Sequence, residues 1–566
     1  MKVLFKGVII LKKLPIGISD FKKIVQDNYY YVDKSLFIED IIDTGAETIL
    51  IPRPRRFGKT LNLSMLKYFF ENKKEDESSL FDNLKIWKAG EKYRKMQGQF
   101  PVIYLTFKDV KCNNWELCYD HLQRVIGKEY KRHDYLMSTD ILDELQKKIF
   151  HNIMAFEAKR ADYENSIKNL TKYLQDYYDS KVFILIDEYD TPIQAGYTEE
   201  YYEEVIGFMR NLLSGALKDN NALEKAVLTG ILRVAKESIF TGVNNFRVYS
   251  LLEKHFSNYF GFLEVEIDQL LKHFNTDYDI NEIRNWYNGY RFGENVIYNP
   301  WSILNYVDSD EYALRPHWVN TSSNELVKEL ITRGGLQLKD DIEKLISGES
   351  IEKTIDENII FEDLDEDEVV WSFLLFTGYL KAVDKKIKNE QWQCQLKIPN
   401  QEVAYLYKQT IRNWFKNSIK NRKMQLMLDG LVQGDIQTFQ YYFKEFVIKT
   451  MSYFDPTGQE PERVYQAFVL GLLLNLNDDF FIKSNRESGF GRYDINLIPK
   501  ENKSGQKIGI IFEFKKANPV HNETLEEALD QAMKQIEEKN YEAELRERNI
   551  DQENIIKIAV AFEGKE

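Results

Sequence analysis

The chain has 566 residues, too many for a single hydrophobic core, and this length corresponds to about three or four domains of the usual size. Its content of 43% hydrophobic and 29% charged residues is typical of a globular protein and excludes a disordered or fibrous chain. With 76 Lys and Arg against 90 Asp and Glu, the net charge is −14, so the whole surface is not expected to attract nucleic acid or anionic membranes. Three cysteines are too few for a disulfide framework or a four-thiolate zinc site, which favours a reducing compartment.

Two apolar stretches are too short or too interrupted to be targeting or membrane segments. Residues 3–11 are interrupted by Lys6 and lack a small-residue cleavage site, and residues 467–476 are only ten residues long. We therefore expect a cytoplasmic protein with no membrane partner.

The first 255 residues alternate apolar runs with long amphipathic stretches, the pattern of a parallel sheet covered by helices. Continuous apolar runs of this kind indicate strands that are buried on both faces. The predicted strands are 48–51, 102–107, 182–186, 226–228 and 246–250. An α/β domain is therefore predicted over residues 1–255.

A phosphate-binding loop is predicted directly after the first strand. Residues 53–60 read RPRRFGKT and precede an amphipathic stretch, so strand, loop and helix follow one another as such a loop requires. Gly58 would permit close approach of the backbone to phosphate, Lys59 would neutralise the β- and γ-phosphates, and Thr60 would bind Mg²⁺. Arg53 stands where the general motif has its first glycine, and as part of the loop it is expected to be a nucleotide-binding residue.

Two acids at the end of the third strand would complete a hydrolytic site. The run VFILIDEYD, residues 182–190, allows Asp187 to reach the Mg²⁺ and Glu188 to polarise the attacking water. Solvated acids at a strand end are the alternative for this pair taken alone. The preceding GKT loop favours the catalytic interpretation.

Four further residues are predicted near the phosphates. Thr229 ends the fourth strand and Arg233 follows it, which would place a hydroxyl and a guanidinium near the γ-phosphate. Arg55 and Arg56 of the loop are also predicted to contact phosphate. For the three arginines, pairing with the protein's own acids remains the open alternative.

These residues carry a resemblance to a known family. The segment LPIGISDFKKIVQDNYYYVDKSLFIEDII, the RPRRFGKT loop and the ILIDEYDTPI strand are similar to the predicted AAA-ATPase-like family of bacterial and archaeal P-loop proteins, over about residues 14–250. In that family an Arg commonly occupies the position of Arg53. The stretches WYNGYRFG, YNPWSIL and TSSN, between residues 286 and 324, resemble its middle segment. The resemblance implies a P-loop NTPase fold that binds ATP and Mg²⁺ and hydrolyses ATP.

The remainder of the chain is predicted to form three further parts. Residues 256–400, rich in aromatic and acidic residues with helical patches, are predicted to be a helical middle or lid domain, and residues 401–455 a helical connector. Prolines at positions 456 and 461 mark the start of a compact α/β domain over residues 456–566.

Residues 492–517 are predicted to form a β-hairpin with two carboxylates opposite each other. The strand RYDINLIP, the polar turn KENKSGQK and the strand IGIIFEFKKA follow in order. Asp494 and Glu513 are equally distant from the centre of the turn, which places them approximately opposite one another. Alternation along the second strand puts Glu513 and Lys515 on one face.

That face would carry the groups needed to hydrolyse a phosphodiester. Asp494 and Glu513 offer oxygen ligands suited to Mg²⁺ or Mn²⁺, and Lys515 offers an ammonium that can orient a water or stabilise the transition state. Glu462, at the start of an upstream helix, can add a carboxylate to the metal, and Gln535 lies on a helix that can pack across the site. A surface salt bridge of Lys515 with Glu513 or Asp494 is the alternative.

Five ordered segments of this region resemble the PD-(D/E)XK nuclease superfamily domain that commonly follows this ATPase. They are PERVYQAFVLGLL, GFGRYDINLIP, IIFEFKKA, ALDQAMKQIEEKNY and IAVAFEGK, within residues 456–566. The resemblance implies a restriction-endonuclease-like α/β fold. It also implies that Asp494, Glu513 and Lys515 are catalytic, Glu462 is the helical acid and Gln535 is the fourth-motif glutamine.

The predicted function is an ATPase coupled to a metal-dependent nuclease. Between residues 480 and 520, eight basic residues stand against four acidic ones, a local positive strip of the kind that approaching phosphates require. ATP and DNA are the expected partners, with RNA not excluded and a homo-oligomer left open. The alternative is an ATP-dependent signalling switch whose C-terminal domain binds nucleic acid or protein without cleaving it.

Overall fold

The structure, a computed structural model, divides into two compact units, residues 1–327 with 352–403 and residues 328–351 with 404–566. The residues described are 12–233, 240, 246–275, 278–309, 313–319, 324–333, 336–346, 348–358, 361–418, 421–451, 469, 472–473, 476, 479–488, 491–500, 508–517 and 523–562. Within these ranges no helix is both long and apolar enough to span a membrane. The four domain ranges predicted above remain predictions.

The N-terminal part alternates strands with helices, as its sequence pattern predicts. In chain order its elements are α1 (Phe21–Gln26), α2 (Leu36–Asp43), β1 (Thr48–Pro52), α3 (Lys59–Phe70), α4 (Lys85–Ala89), α5 (Glu91–Arg94), β2 (Val102–Thr106), α6 (Trp115–Arg132), α7 (Glu144–Ala155), α8 (Arg160–Glu164), α9 (Ser166–Tyr178), β3 (Val182–Asp187), α10 (Thr191–Thr198), α11 (Tyr202–Leu217), β4 (Leu223–Gly230) and β5 (Phe246–Val248). All five predicted strands are therefore confirmed, and the fourth is longer at both ends than the sequence predicts.

The five strands form one sheet in the order β2-β3-β4-β1-β5, and every neighbouring pair is parallel. All residues of β1 and β3 are buried, as expected for strands covered by helices on both faces. Because the strands are parallel, the segments that follow β1, β2, β3 and β4 all begin at the same edge of the sheet. The fold thus confirms the predicted parallel α/β architecture and brings together segments that are distant in sequence.

Aromatic packing attaches α3 to the sheet. Phe70, in the last turn of α3, stacks on Phe183 of β3 with ring centroids 4.0 Å apart, and Phe100 packs edge-on against Phe183 at 4.9 Å. Such pairs contribute about 1 kcal/mol each beyond the area that they bury. The start of α3, where the predicted phosphate-binding loop ends, is thereby positioned on the sheet.

The following segment contains strands as well as the predicted helices. Its elements are α12 (Glu264–Phe274), α13 (Ile280–Tyr287), β6 (Tyr290–Phe292), β7 (Asn295–Ile297), α14 (Pro300–Asp308), α15 (Glu325–Arg333), α16 (Leu336–Ile346), β8 (Ile351–Ile355), α17 (Asp367–Phe376), β9 (Lys381–Lys388) and β10 (Gln391–Lys397). β6 pairs with β7, and β8, β10 and β9 form a three-stranded sheet. These strands are not predicted from the sequence, because β6 and β7 are very short and β9 is largely charged and exposed.

The C-terminal part is a four-stranded sheet with helices. Its elements are α18 (Gln401–Ser418), α19 (Asn421–Gln433), α20 (Ile436–Met451), β11 (Phe480–Ser488), β12 (Gly491–Pro499), β13 (Gly509–Lys516), α21 (Leu525–Glu538), α22 (Ala543–Glu547) and β14 (Ile555–Phe562). The strand order is β11-β12-β13-β14, with β13 and β14 parallel and the other pairs antiparallel. The predicted α/β fold and the β12–β13 pairing are confirmed, whereas β11 is an additional strand.

We expect Gly289→Ala to destabilise the first unit. Gly289 has a φ of 100°, and a Cβ at this position would lie 2.2 Å from the carbonyl oxygen of Pro399. The substitution should lower the free energy of unfolding by about 2–4 kcal/mol, because it adds steric overlap to backbone strain. Urea unfolding of the purified protein measures this loss.

Gly98→Ala, in the same unit, is the matched control for this substitution. Gly98 has a φ of 68°, but the nearest atom to a Cβ there would be the carbonyl oxygen of Glu71, 4.0 Å away. It should therefore cost only the backbone strain, about 1 kcal/mol. Equal losses in the two variants would contradict the predicted overlap at Gly289.

Candidate functional site

The loop between β1 and α3 has the backbone of a phosphate cradle. Arg56 and Gly58 have positive φ angles of 66° and 87°, and α3 begins at Lys59 immediately afterwards. The N–H groups in the first turn of a helix have no partner within the helix and favour an anion. Gly58 thus occupies the position predicted for it.

Lys59 is buried at the base of this loop and contacts the acid predicted to be catalytic. Its Nζ donates to the carbonyl oxygens of Arg53 (3.0 Å) and Pro54 (3.1 Å) and lies 3.2 Å from Oε1 of Glu188. The loop and the end of β3 are therefore joined by a buried ion pair.

Asp187 is fully buried and accepts hydrogen bonds from three hydroxyls. Its Oδ2 accepts from Thr60 (2.8 Å) and Thr106 (3.3 Å), and its Oδ1 accepts from Thr229 (2.8 Å). Burial, and then the charge of Glu188, raise the pKa of Asp187. The predicted pair Thr60 and Asp187 is adjacent, and Thr106, which is not predicted, joins them because β2 lies beside β3.

Glu188 has a left-handed backbone, with a φ of 54°, and its carboxylate faces the loop. Burial opposes its ionisation, but the Lys59 ammonium, the charge of Arg55 and a hydrogen bond from Thr191 hold its pKa below the ordinary value. The Thr191 hydroxyl lies 3.2 Å from Oε2. Glu188 is thus an anion that is held by a lysine.

Asp190, which is not predicted, connects the end of β3 to the segment after β4. Its Oδ2 accepts from the backbone N–H groups of Ile231 (2.7 Å) and Leu232 (2.9 Å). Burial, and then the charge of Glu188, raise the pKa of Asp190 to about 6. Arg233, the residue after Leu232, is partly exposed.

A cleft of about 520 Å³ opens over the loop. It is lined by residues of the loop together with Lys59, Thr60 and Glu188. The apolar and aromatic lining of the cleft includes Pro15, Ile18, Tyr30, Tyr31, Phe262 and Leu304. A cleft of this size with both charged and apolar lining fits the phosphates and the base of a nucleotide. Neither Arg53 nor Arg233 is among the described residues that line the cleft.

Basic side chains predominate among the charged residues that line this cleft. The bases are Lys34, Arg55, Arg56, Lys59, Lys108 and Lys111, and the acids are Asp109 and Glu188. Two of these bases are already neutralised, Lys59 by Glu188 (3.2 Å) and Lys34 by Glu266 (2.7 Å). The remaining positive charge, on an acidic protein, suits a polyphosphate. Lys108 and Lys111 are not predicted, because their approach to the loop depends on the position of β2 in the sheet.

Arg53 points into the protein rather than into the cleft. Its guanidinium is fully buried, donates to the carbonyl oxygens of Pro52 and Tyr249 (2.8 Å each), and lies over two phenylalanine rings. The sequence predicts that Arg53 binds the nucleotide, but among the described residues its guanidinium faces the protein interior and not the cleft. What Arg53 presents to the loop is its carbonyl group, which accepts from Lys59.

Arg55 and Arg56 line the cleft, as predicted, and each contacts a tryptophan of the middle segment. The backbone carbonyl of Arg55 accepts from Nε1 of Trp318 (3.1 Å). The guanidinium of Arg56 lies 4.2 Å from the centre of the Trp301 ring. The loop conformation is thus tied to residues more than 200 positions further along the chain.

Glu402 holds the segments that carry these two tryptophans. Its carboxylate accepts from the hydroxyl of Ser302 (2.8 Å) and from the backbone N–H of Trp318 (2.6 Å). Burial raises the pKa of Glu402 to about 7. Glu402 lies in the first turn of α18. The start of this helix is therefore hydrogen-bonded to Trp318, which in turn donates to the loop.

In the C-terminal sheet, the register places Asp494 opposite Glu513. Ile495 pairs with Phe512, and continuing this register by one residue brings the two acids together. Oδ2 of Asp494 accepts from the backbone N–H of Phe514 (2.7 Å), which holds the carboxylate beside β13. The predicted opposition of the two acids follows from this register.

Gln535 of α21 reaches across to this pair. Its Nε2 donates to Oε1 of Glu513 and lies 3.0 Å from the hydroxyl of Tyr541. Burial, and also the charges of Glu513 and Asp494, raise the pKa of Tyr541, so its hydroxyl lies close to both acids. Gln535 thus contacts Glu513, and its supporting role remains a prediction.

The chemistry of the acids fits a divalent cation at this position. Asp494 and Glu513 offer the hard oxygen donors that Mg²⁺ and Mn²⁺ take, and Lys515, on the face of Glu513, is partly buried. In the described ranges no group of three or more His, Cys, Asp and Glu side chains is arranged to hold a metal. Glu462, predicted as a further carboxylate, lies outside the described residues.

Two families of known proteins match this chain. Residues 15–240 match the family described as predicted AAA-ATPase, and residues 460–566 match the PD-(D/E)XK nuclease superfamily. Both predicted resemblances are therefore confirmed, and they indicate an ATPase part and a nuclease part. An uncharacterized protein in the vnfD 5′ region of Azotobacter chroococcum mcd 1 is 28% identical over 398 residues, which cover 69% of this chain and 68% of that protein.

Asp190→Asn should change how stability depends on pH. The folded-state pKa of about 6 lies above the value of about 3.9 in an unfolded chain, so the native state binds the proton more tightly and loses stability as the pH rises from about 4 to above 6. The amide oxygen still accepts from Ile231 and Leu232 but does not titrate. Relative to wild type, the variant should gain about 2 kcal/mol between pH 4 and pH 7.5, measured by urea unfolding. A difference that stays constant with pH would contradict the assignment.

Proposed function

We propose that the cleft over the β1–α3 loop binds ATP with Mg²⁺ and hydrolyses it. The observation that carries this proposal is that Lys59, Thr60 and Glu188, which follow two separate strands, line one cleft, while the buried Asp187 accepts from the hydroxyl of Thr60. The hydroxyl of Thr60 and the carboxylate of Asp187 are adjacent oxygen donors and fit Mg²⁺. When bound, that ion neutralises charge on the phosphates.

The side chains of the site divide the work as follows. Lys59, which is held by Glu188 and two carbonyl groups, has an ammonium at the position where the phosphates enter. When the Lys59 ammonium binds the phosphates instead of Glu188, the Glu188 carboxylate is released from the ion pair. It can then accept the proton of an attacking water. Arg55, Arg56 and Lys111 supply further positive charge in the same cleft.

Lys59→Ala should abolish ATP binding, because it removes the ammonium at the base of the loop. Glu188→Gln should retain ATP binding and lower the hydrolysis rate by about 100-fold or more, because the amide cannot accept the proton. Binding is measured with a fluorescent ATP analogue and turnover by phosphate release. Lys95→Ala, an exposed lysine in an ion pair with Glu91, is the control and should change neither. Hydrolysis at the wild-type rate by Glu188→Gln would disprove the role of this residue.

We further propose that the C-terminal sheet carries a metal-dependent nuclease site that acts on DNA. The supporting observation is the pair of acids on adjacent strands, with Gln535 bonded to one of them and Lys515 beside it. The cation, when bound, activates a water and stabilises charge on the phosphate. Basic residues near these strands, among them Lys500, favour a polyanionic substrate.

Coupling between the two sites is part of the proposal. The partition between the two units falls after Val403, inside α18, whose first turn carries Glu402. Because Glu402 binds the segment whose Trp318 donates to the P-loop carbonyl of Arg55, a change in the loop has a bonded route to this helix. ATP dependence of cleavage would show such coupling.

Asp494→Ala and Lys515→Ala should each reduce DNA cleavage by about 100-fold or more, because they remove a metal ligand and the transition-state cation. Linear and circular DNA are incubated with Mg²⁺ or Mn²⁺, with and without ATP, and resolved on gels. Lys516→Ala, an exposed neighbour on the opposite face, is the matched control. If only RNA is cleaved, the proposed substrate is RNA instead of DNA. If no nucleic acid is cleaved, the alternative of a signalling switch is favoured.

A further inference from the structure

Asn496 is a buried amide on β12 whose side chain has no hydrogen-bond partner among the residues that the structure describes. It is 0% exposed, and both its Oδ1 and its Nδ2 lack a partner. A buried amide without a partner is costly, and an apolar residue of similar volume would avoid this cost. The side chain therefore calls for an explanation beyond the packing of its strand.

Asn496 lies on the same face of the sheet as the acids of the proposed nuclease site. Residues two apart on a strand share a face, so Asn496 lies on the same face of β12 as Asp494. On β13 this face continues through Ile511, which pairs with Asn496, to Glu513. Alternate residues of a strand are about 7 Å apart, a separation that a cation with its ligands can bridge.

The polar side chains that flank this position are engaged elsewhere. On β11 Lys483 pairs with Asn496 in register, but its ammonium is bound to Glu544 of α22. On the other side Gln535 donates to Glu513 and to Tyr541. Neither contact includes the Asn496 amide.

We propose that Asn496 belongs to a divalent-cation site with Asp494 and Glu513, in which its amide oxygen is a further donor toward Mg²⁺ or Mn²⁺, directly or through one water. Carboxylate and amide oxygens are the ligands that hard cations take. Residues that support a metal from beyond its direct ligands typically contribute about 10- to 100-fold in affinity. The inference rests on the proposed nuclease function, because it requires a cation at Asp494 and Glu513. Asn496 is a positioning residue in this scheme.

Asn496→Leu keeps the approximate volume of the side chain and removes its polar atoms. The full-length protein, without nucleotide, is melted in EDTA and in increasing Mn²⁺, and its Mn²⁺ affinity is measured by calorimetry. The metal-free variant should have a Tm at least equal to that of wild type, because it no longer buries an unpaired amide. Its Mn²⁺ affinity should fall by about tenfold or more, and the rise in Tm on adding Mn²⁺ should shrink.

Asn496→Asp should show the opposite pattern. A carboxylate at this buried position lowers the metal-free Tm, and as a stronger cation ligand it enlarges the rise in Tm on adding Mn²⁺. If Asn496→Leu does not fold, this variant decides the question by itself. A lower metal-free Tm without a larger Mn²⁺ response would then overturn the role of Asn496.

Asp494→Ala separates failure of this inference from failure of the nuclease proposal. It should lose Mn²⁺ binding. If wild type binds no Mn²⁺, or if Asp494→Ala binds it like wild type, the cation site fails and the proposed nuclease function fails with it. If Asp494→Ala loses binding while Asn496→Leu binds like wild type, only the role of Asn496 is overturned, and the amide is a structural feature of the sheet.

Discussion

The buried carboxylate of Asp187 is the constraint on which the N-terminal site depends. Removing an ionisable acid from water is costly unless hydrogen-bond donors replace the water. Here the donors are the hydroxyls of Thr60, Thr106 and Thr229, which come from the start of α3 and the ends of β2 and β4. Each hydroxyl can reach Asp187 only if the helix or strand that carries it is correctly positioned against β3. The acid thus ties four segments to one edge of the sheet.

The phosphate-binding loop illustrates how an unusual residue is accommodated. At the position where the general motif has a glycine, Arg53 turns its guanidinium inward to the carbonyl groups of Pro52 and Tyr249. The positive φ angles that the loop requires lie instead at Arg56 and Gly58. The arginine at this position therefore joins the loop to the segment after β5, a role that a glycine without a side chain could not perform.

The two sites lie on different sheets, but both hold carboxylates in place by contacts with a cation or with hydrogen-bond donors. At the N-terminal site the acids stand at the end of one strand, and at the C-terminal site they lie on one face of two neighbouring strands. In each, a cation or a hydrogen-bond donor compensates their repulsion. At the N-terminal site Lys59 balances Glu188, and at the C-terminal site Gln535 donates to Glu513 while a backbone N–H holds Asp494. Both arrangements offer carboxylate oxygens of the kind that the divalent cations of the two proposed functions would take.

Local sequence pattern determined much of this protein. Continuous apolar runs predicted the five parallel strands, the strand, loop and helix order predicted the positions of Lys59 and Thr60, and the symmetry of the hairpin predicted that Asp494 faces Glu513. These features depend on residues that are close in sequence, where periodicity and turn length suffice.

Only the tertiary structure decided which distant residues complete the sites. Thr106, Lys108 and Lys111 reach the loop because β2 lies beside β3, and no periodicity in the sequence encodes that order. Asp190 accepts hydrogen bonds from the backbone N–H groups of Ile231 and Leu232 because β4 lies beside β3. Burial by neighbouring strands and helices decides the inward direction of the Arg53 side chain. It also decides that the Asn496 amide has no hydrogen-bond partner among the described residues. Burial of this kind is a property of the packed chain, because it is set by contacts between segments that are far apart in sequence.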